Sequence, residues 1–370
     1  MERLASPMTS RRNLLLAGGT ALLPVQRARA SIAAPPLSVV TGANTGIGFE
    51  VARGLADAGF DVVLACRTTD KARGAALRLS EQALSEQASG RFIVLDTPLD
   101  LASLDSVSSF ADALLRLDRP VARLVLNAGI SACASSVQRV SEKVQLLMPC
   151  CAAVAVPQSL SSNGHELHFA VNHLGHYLLT SCLLAGGVLA EPGARVVSVS
   201  SLAAYSGAHV DDLDWERRPY ERWGAYGASK CCNVLFADEL ADQNPSLQCS
   251  SVHPGIVDTD LIRYVAPGLV AQRAANPASA SSTAAHAFGL RTPAQGAAPV
   301  LWAAVSNEAG RAASGTFWLD ERSSAPELLR PGGGDGGRAQ RHALWERSEA
   351  FVKGARGGRR AAAAAAAAAA

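Results

Sequence analysis

The chain has 370 residues, with 34 Lys+Arg against 32 Asp+Glu and a formal net charge of +2. That balance excludes a nucleic-acid binder working by broad phosphate neutralisation, which needs a concentrated basic face. With 48% hydrophobic and 18% charged residues the chain can bury a core, and no apolar run reaches the roughly 18 residues of a membrane span.

Residues 1–36 carry a single acid, Glu2, against Arg3, Arg11, Arg12, Arg27 and Arg29. The apolar stretch Leu14 to Val25 follows the arginine pair, and Ala28-Arg29-Ala30 has the form of a small-residue cleavage site. A basic opening, a short apolar stretch and such an end read as a targeting segment. A plastid address is favoured; the twin arginine also permits Tat-type export, and a cytoplasmic location stays open.

Leu37 to Val40 reads as a buried strand, and Thr41-Gly42-Ala43-Asn44-Thr45-Gly46-Ile47-Gly48 follows it directly. A helical pattern then runs through Val51, Leu55 and Ala58, Gly59 stops it, and Asp61 to Cys66 reads as a second strand. Strand, glycine turn, helix, strand is a dinucleotide-binding unit, in which backbone approaches pyrophosphate at a helix N-terminus. After the second strand stands Arg67, where NAD-specific folds carry an acid. A guanidinium there pairs with the 2′-phosphate of NADP, so NADP(H) is the expected cofactor.

Further strand-like runs at Arg91 to Leu95, Ala122 to Leu126, Ala194 to Val199 and Gln248 to Val252 alternate with helical stretches. This predicts one α/β domain, a Rossmann-type doubly wound parallel sheet with helices on both faces. Ligands bind beyond the carboxyl ends of such strands, so Asp100, Asn127-Ala128-Gly129, Ser200-Ser201 and His253-Pro254-Gly255 become site residues. Tyr226 and Lys230 sit four apart, on one face of a helix. An ammonium beside a phenol favours the phenolate and makes it a usable acid or base near neutrality.

Pro331 to Gly337 is glycine-rich and Ala361 to Ala370 is pure alanine, so residues 331–370 are expected to be a disordered tail. The eight cysteines form no C-x-x-C pair, which argues against a disulfide framework or a zinc site and for buried reduced thiols.

TGANTGIG (41–48), NAG (127–129), VNHLGHYLL (171–179), VVSVSS (196–201), YGASK (226–230) and HPG-x-V-x-T (253–259) occur in order. Together they resemble the short-chain dehydrogenase/reductase family over about 37–319. ACR (65–67), FAVNHLGHYLLT (169–180) and WGAYGASK (223–230) are similar to its retinol-dehydrogenase-like and WW-domain-oxidoreductase-like branch, without a WW module. The resemblance implies Tyr226 as acid/base, Lys230 on the nicotinamide ribose, Ser201 polarising the substrate carbonyl, and Asn172 holding a water against the lysine. It implies that Gly42, Gly46 and Gly48 cradle the pyrophosphate, that Asp100 meets adenine and Asn127 supports the ribose side, and that Thr259 and the Val257 backbone hold the carboxamide. Asn44, Thr45, Ile47, Ala128, Gly129, Pro254 and Gly255 in the same motifs would also bind the cofactor.

Asn127 and Asn172 lie 45 residues apart (172 − 127), about twice what the resemblance suggests. Residues 132–164 are therefore read as an atypical insertion, either functional or an artefact of the gene model. The loops Leu202 to Arg222 and Leu261 to Pro293 carry few fixed charges, so a small lipophilic carbonyl or alcohol of retinoid, steroid or lipid-aldehyde kind is expected. Peripheral membrane contact and a homodimer are compatible with this reading. Two alternatives stay open: an NADP(H)-sensing interaction protein similar to the chloroplast import-associated short-chain dehydrogenase, and a protochlorophyllide-reductase-like enzyme, whose pattern lacks the serine found at Ser201.

Overall fold

The computed structural model describes residues 34–82, 90–131, 158–189, 192–259, 290–324 and 335–369. The expected targeting segment, most of the expected insertion and residues 260–289, which hold most of the loop expected over Leu261 to Pro293, lie outside these residues. Seven parallel strands order as β3 (Phe92–Ile93), β2 (Asp61–Ala65), β1 (Leu37–Thr41), β4 (Val121–Leu126), β5 (Arg195–Val199), β6 (Gln248–His253) and β9 (Thr316–Leu319). The antiparallel β10 (Arg322–Ser324) closes the β9 edge. A short parallel pair, β7 (Ile256–Val257) with β8 (Leu290–Arg291), stands apart from this sheet. The expected parallel sheet is present; its antiparallel edge strand was not anticipated.

Strand side chains alternate between two cores, as a pleated strand covered on both faces requires. Val39, Leu124, Val196 and Phe317 join one core, with α3 (Leu104–Leu115), α4 (Gly175–Ala185) and α5 (Arg222–Gln243). Val40, Val125, Val197 and Trp318 join the other, with α1 (Gly46–Asp57), α2 (Thr69–Gln82) and α6 (Pro293–Val305). The small α7 (Asn307–Arg311) follows α6. The strand expected over Arg91 to Leu95 pairs only at Phe92 and Ile93, because it lies at the sheet edge. Arg91 instead joins Arg119 on the buried carboxylate of Asp61, at 3.0 and 2.8 Å.

The disorder expected over 331–370 is corrected only at 335–369, the residues described there. Residues Asp335–Ala369 form a helix, α8. Glycine and alanine dominate the composition there, but they flank an amphipathic stretch whose Leu344 and Val352 are buried in the first core. Trp345 packs edge-on to Tyr177 at 4.9 Å and stacks with Phe236 at 6.0 Å. Arg341 binds Asp238 at 2.7 Å and Glu239 at 3.2 Å on α5, and also reaches Asp242. A pattern repeating at helical spacing with an ion-pair anchor outweighs the glycine- and alanine-rich composition around it.

The distal end of the expected insertion is also built into the domain. Ser162 donates its backbone N–H to the Ala102 carbonyl at 3.2 Å and its hydroxyl to the same oxygen at 2.9 Å. Asn163 Oδ1 accepts the Leu104 N–H at 2.9 Å, at the N-terminus of α3.

Candidate active site

The carboxyl ends of β1, β2, β4 and β5 and the turns after them enclose a cavity of about 450 Å³. Its lining brings together Gly42, Asn44, Thr45, Gly46, Ile47, Gly48, Arg67, Asp100, Asn127, Ala128, Gly129, Tyr226, Lys230, Pro254 and Thr259. Gly42 and Gly46 take φ of +68° and +60°, which a side chain would strain. A Cβ on Gly48 would stand 2.4 Å from both Asn127 Nδ2 and the Gly42 carbonyl, so the turn closes only with glycine there. Thr45, the residue before α1, makes no side-chain cap, and the helix has no acid in its first turn. Its leading N–H groups therefore face the cavity without a competing anion, the arrangement that binds phosphate. Arg78 braces the turn from outside, donating to the Asn44 carbonyl at 2.7 Å and covering the Phe49 ring.

Arg67 and Lys71 both line the cavity wall at the end of β2. Asp70, the nearest acid in sequence, pairs with Arg73 at 3.9 Å, and neither Arg67 nor Lys71 makes an ion pair with a described residue. Asp100 also lines the cavity, its Oδ1 accepting the Ala102 N–H at 3.0 Å.

Asn172 is fully buried on a π-helical segment, Ala170–Leu174, between a turn at Leu167–Phe169 and α4. Such widened turns recur at functional sites. Its Oδ1 accepts the Ile130 N–H at 2.8 Å, while its Nδ2 donates to the Ile130 carbonyl at 3.0 Å and to Ser229 Oγ at 2.9 Å. A Cβ on Gly129 would lie 3.1 Å from Asn172 Oδ1 and 3.2 Å from Lys230 Nζ, so both groups crowd one point above that glycine. Lys230 Nζ donates to the Val199 carbonyl at 3.0 Å and stands 5.9 Å from the Tyr226 ring centroid. Burial lowers its pKa from the ordinary 10.5 to about 8. The structure thus brings Tyr226, Lys230 and Asn172 together.

The serines divide differently. Ser200 lines the cavity and donates its hydroxyl to the Lys230 carbonyl at 2.6 Å. Ser201 begins the 3₁₀ turn Leu202–Ser206, its Oγ accepting the Ala203 N–H at 3.2 Å. That bond uses a lone pair and leaves the Ser201 hydroxyl proton to give.

At the other end Gly255 has φ of +87°, and Arg291 donates to the Pro254 carbonyl at 3.2 Å and pairs with Asp320. Val257 sits in the β7 pair, its carbonyl accepting the Thr259 N–H at 2.9 Å. A Cβ on Gly46 would meet Thr259 Cγ2 at 2.9 Å, so this turn closes over the glycine turn.

A polar cluster that the motifs did not reveal flanks Tyr226. Glu166 accepts from His168 Nδ1 at 2.8 Å, Tyr220 OH at 2.9 Å and the Phe169 N–H at 2.8 Å. Burial alone would raise its carboxyl, but His168 and the Phe169 N–H outweigh it and hold the pKa below the ordinary value. The His168 and Trp223 rings approach the Tyr226 ring at 6.2 and 5.4 Å. A Glu-x-His pair just before Asn172 was the available signal; Tyr220, 54 residues from Glu166, gave none.

Residues 37–269 match the family model described as short chain dehydrogenase. Retinol dehydrogenase 13 of Homo sapiens is 33% identical over 297 residues, 78% of this chain and 78% of that protein. Retinol dehydrogenase 12 of Homo sapiens is 38% identical over 229 residues, 61% of this chain and 63% of that protein. Among solved structures, an uncharacterized protein from Mycobacterium Paratuberculosis superposes with a TM-score of 0.56 at 28% identity, over 86% of this chain and 93% of that one. L-sorbose reductase from Gluconobacter frateurii, solved with NADPH and L-sorbose, shares the fold, with a TM-score of 0.55 at 19% identity over 78% and 96%.

Proposed function

We propose that this chain, which belongs to the short chain dehydrogenase family, interconverts a carbonyl and an alcohol on a small lipophilic substrate with NADP(H), using Tyr226 as the general acid/base. The observation that carries the reading is the buried Lys230 ammonium beside the Tyr226 ring, with Asn172 crowding the same point, at the wall of a cavity whose far side is a glycine turn.

The residues present fit a nicotinamide dinucleotide. The glycine turn and the open N-terminus of α1 suit the pyrophosphate, Asp100 the adenine side, and the turn from Pro254 to Thr259 the carboxamide. Arg67 and Lys71, facing the cavity without carboxylate partners among the described residues, suit a 2′-phosphate and favour NADP(H) over NAD(H). When bound, the cofactor supplies the hydride that adds to the carbonyl carbon.

Every other part of the step belongs to the chain. Charge that develops on the substrate oxygen is met by the Ser201 hydroxyl and by the Tyr226 phenol, which gives up its proton to that oxygen. The phenolate left behind is stabilised by Lys230, whose lowered pKa keeps proton exchange accessible near neutrality. In the alcohol-oxidising direction the same groups act in reverse.

The retinol dehydrogenases matched at above 30% identity support an apolar alcohol or aldehyde, and a retinoid heads the substrate class we assign. Steroid ketones and lipid aldehydes complete it. The test is consumption of NADPH, with NADH in parallel, over retinal, medium-chain aldehydes and steroid ketones. The reading expects turnover of at least one apolar carbonyl with NADPH preferred. Binding of NADPH without turnover of any of them would instead support a cofactor-sensing protein.

A further inference from the structure

His176 stands between the cofactor turn and the catalytic segment, and the acid/base chemistry above does not use it. It is 2% exposed. Its Nδ1 lies 3.1 Å from the Asn172 carbonyl oxygen and its Nε2 lies 2.9 Å from Thr41 Oγ1. The protons can be assigned from these contacts. A carbonyl oxygen only accepts, so Nδ1 carries the hydrogen. Burial, opposed by the Asn172 bond and helped by the Lys230 charge, lowers the ring's pKa to about 4, so the imidazole is neutral at physiological pH. The lone pair is then on Nε2, which at 2.9 Å takes the hydroxyl proton of Thr41 in preference to the Val125 carbonyl at 3.5 Å.

Thr41 Oγ1 has lone pairs left, and both are used. It accepts the backbone N–H groups of Asn127 and Ala128, each at 2.9 Å. Asn127 Nδ2 returns a bond to the Thr41 carbonyl at 2.9 Å. That same Nδ2 is the group a Cβ on Gly48 would strike. One ring therefore reaches the pyrophosphate turn through Thr41 and the lysine-facing asparagine through its carbonyl. No surface residue intervenes, and every donor along the path has a stated acceptor.

We propose that His176 is a positioning residue that couples the cofactor turn to Asn172. Through Nε2 it orients the Thr41 hydroxyl, and so fixes where Asn127 and Ala128 sit against the glycine turn. Through Nδ1–H it holds the Asn172 backbone in the widened helix. The inference rests on the reading of Asn172, Tyr226 and Lys230 as the reacting set.

Two substitutions separate the halves. In His176→Asn the amide falls where Nδ1 stood; it keeps the Asn172 bond and loses Thr41. In His176→Gln the amide falls where Nε2 stood; it keeps Thr41 and releases Asn172. Losing one such bond is worth about a fivefold change in the affected constant. His176→Asn is expected to raise the NADPH dissociation constant about fivefold, read by nucleotide fluorescence, with kcat at saturating cofactor within about twofold of the parent. His176→Gln is expected to leave the dissociation constant within about twofold and lower kcat about fivefold or more. Parallel changes in both variants, or no change in either, overturn the proposal, because a merely space-filling histidine cannot split the two constants. The affinity contrast needs no substrate, so it stands even if the carbonyl-reductase reading fails. Should both variants misfold, Thr41→Val tests the cofactor half alone: it strips the Asn127 and Ala128 N–H groups of their acceptor and lowers melting, and in the folded protein a raised NADPH dissociation constant supports the relay while unchanged affinity overturns it.

Discussion

Lys230 Nζ is buried, donates to the Val199 carbonyl at 3.0 Å and stands 5.9 Å from the centroid of the Tyr226 ring. No described carboxylate neutralises it, and burial lowers its pKa to about 8. The protein thus carries a costly charge at the one place where it can act on the phenol.

That cost has a pH signature. The gap between about 8 in the fold and the ordinary 10.5 corresponds to roughly 3 kcal/mol. Because the folded pKa lies below the unfolded one, the penalty is fully present below pH 8 and is relieved as pH rises from 8 towards 10.5. Lys230→Met should therefore lose turnover, while its melting temperature relative to the parent declines steadily across that window. Thermal melts of both cofactor-free proteins from pH 7 to 10.5 check this; a constant difference would show that Lys230 is not perturbed.

Cofactor choice should turn on the end of β2. Arg67→Asp places a carboxylate where a 2′-phosphate would sit, and the NADPH dissociation constant is expected to rise by about tenfold or more while that for NADH changes little. Lys71→Gln should act in the same direction and less strongly. Equal effects on both cofactors would remove the argument for NADP(H).

Gly48→Ala is expected to abolish cofactor binding and lower stability, since the new Cβ meets a backbone carbonyl and Asn127 at 2.4 Å. Gly74→Ala is the control: nothing lies within 4 Å of a Cβ there, it is inside α2, and helix propensity predicts a gain of about 0.5–1 kcal/mol. Nucleotide titration and melting of the pair give the comparison.

The C-terminal helix makes a stability prediction opposite to the one its composition suggests. Leu344 is 1% exposed in the first core, so Leu344→Ala should cost about 2–5 kcal/mol. A loose tail would leave melting unchanged. Cofactor affinity should be unaffected, since no described side chain of α8 lines the cavity.

The parts of the site that were legible in the sequence are those whose chemistry demands local spacing. Tyr226 and Lys230 are one helical turn apart, and Gly42, Gly46 and Gly48 share one turn, so each motif carries its own geometry. The parallel sheet was legible because its central strands, buried on both faces, read as apolar runs. What stayed hidden depends on partners distant in sequence. Thr41 and His176 are 135 residues apart, and nothing local marks either as the other's partner. Ser200 lines the cavity but gives its hydroxyl to the Lys230 carbonyl, while Ser201 caps the next turn, a distinction made by the backbone at the end of β5. Helix α8 was hidden because glycine and alanine outnumber the few residues, Arg341, Leu344, Trp345 and Val352, that dock it.

The central claim is that Tyr226 performs the proton transfer in carbonyl reduction. The direct measurement is single-turnover and steady-state NADPH oxidation by the parent and by Tyr226→Phe with the same apolar aldehyde, with NADPH affinity determined for each. The account predicts unchanged NADPH affinity within about twofold and a loss of turnover of about a hundredfold or more, the scale of a positioned acid/base group. Equal turnover by the two proteins would contradict it.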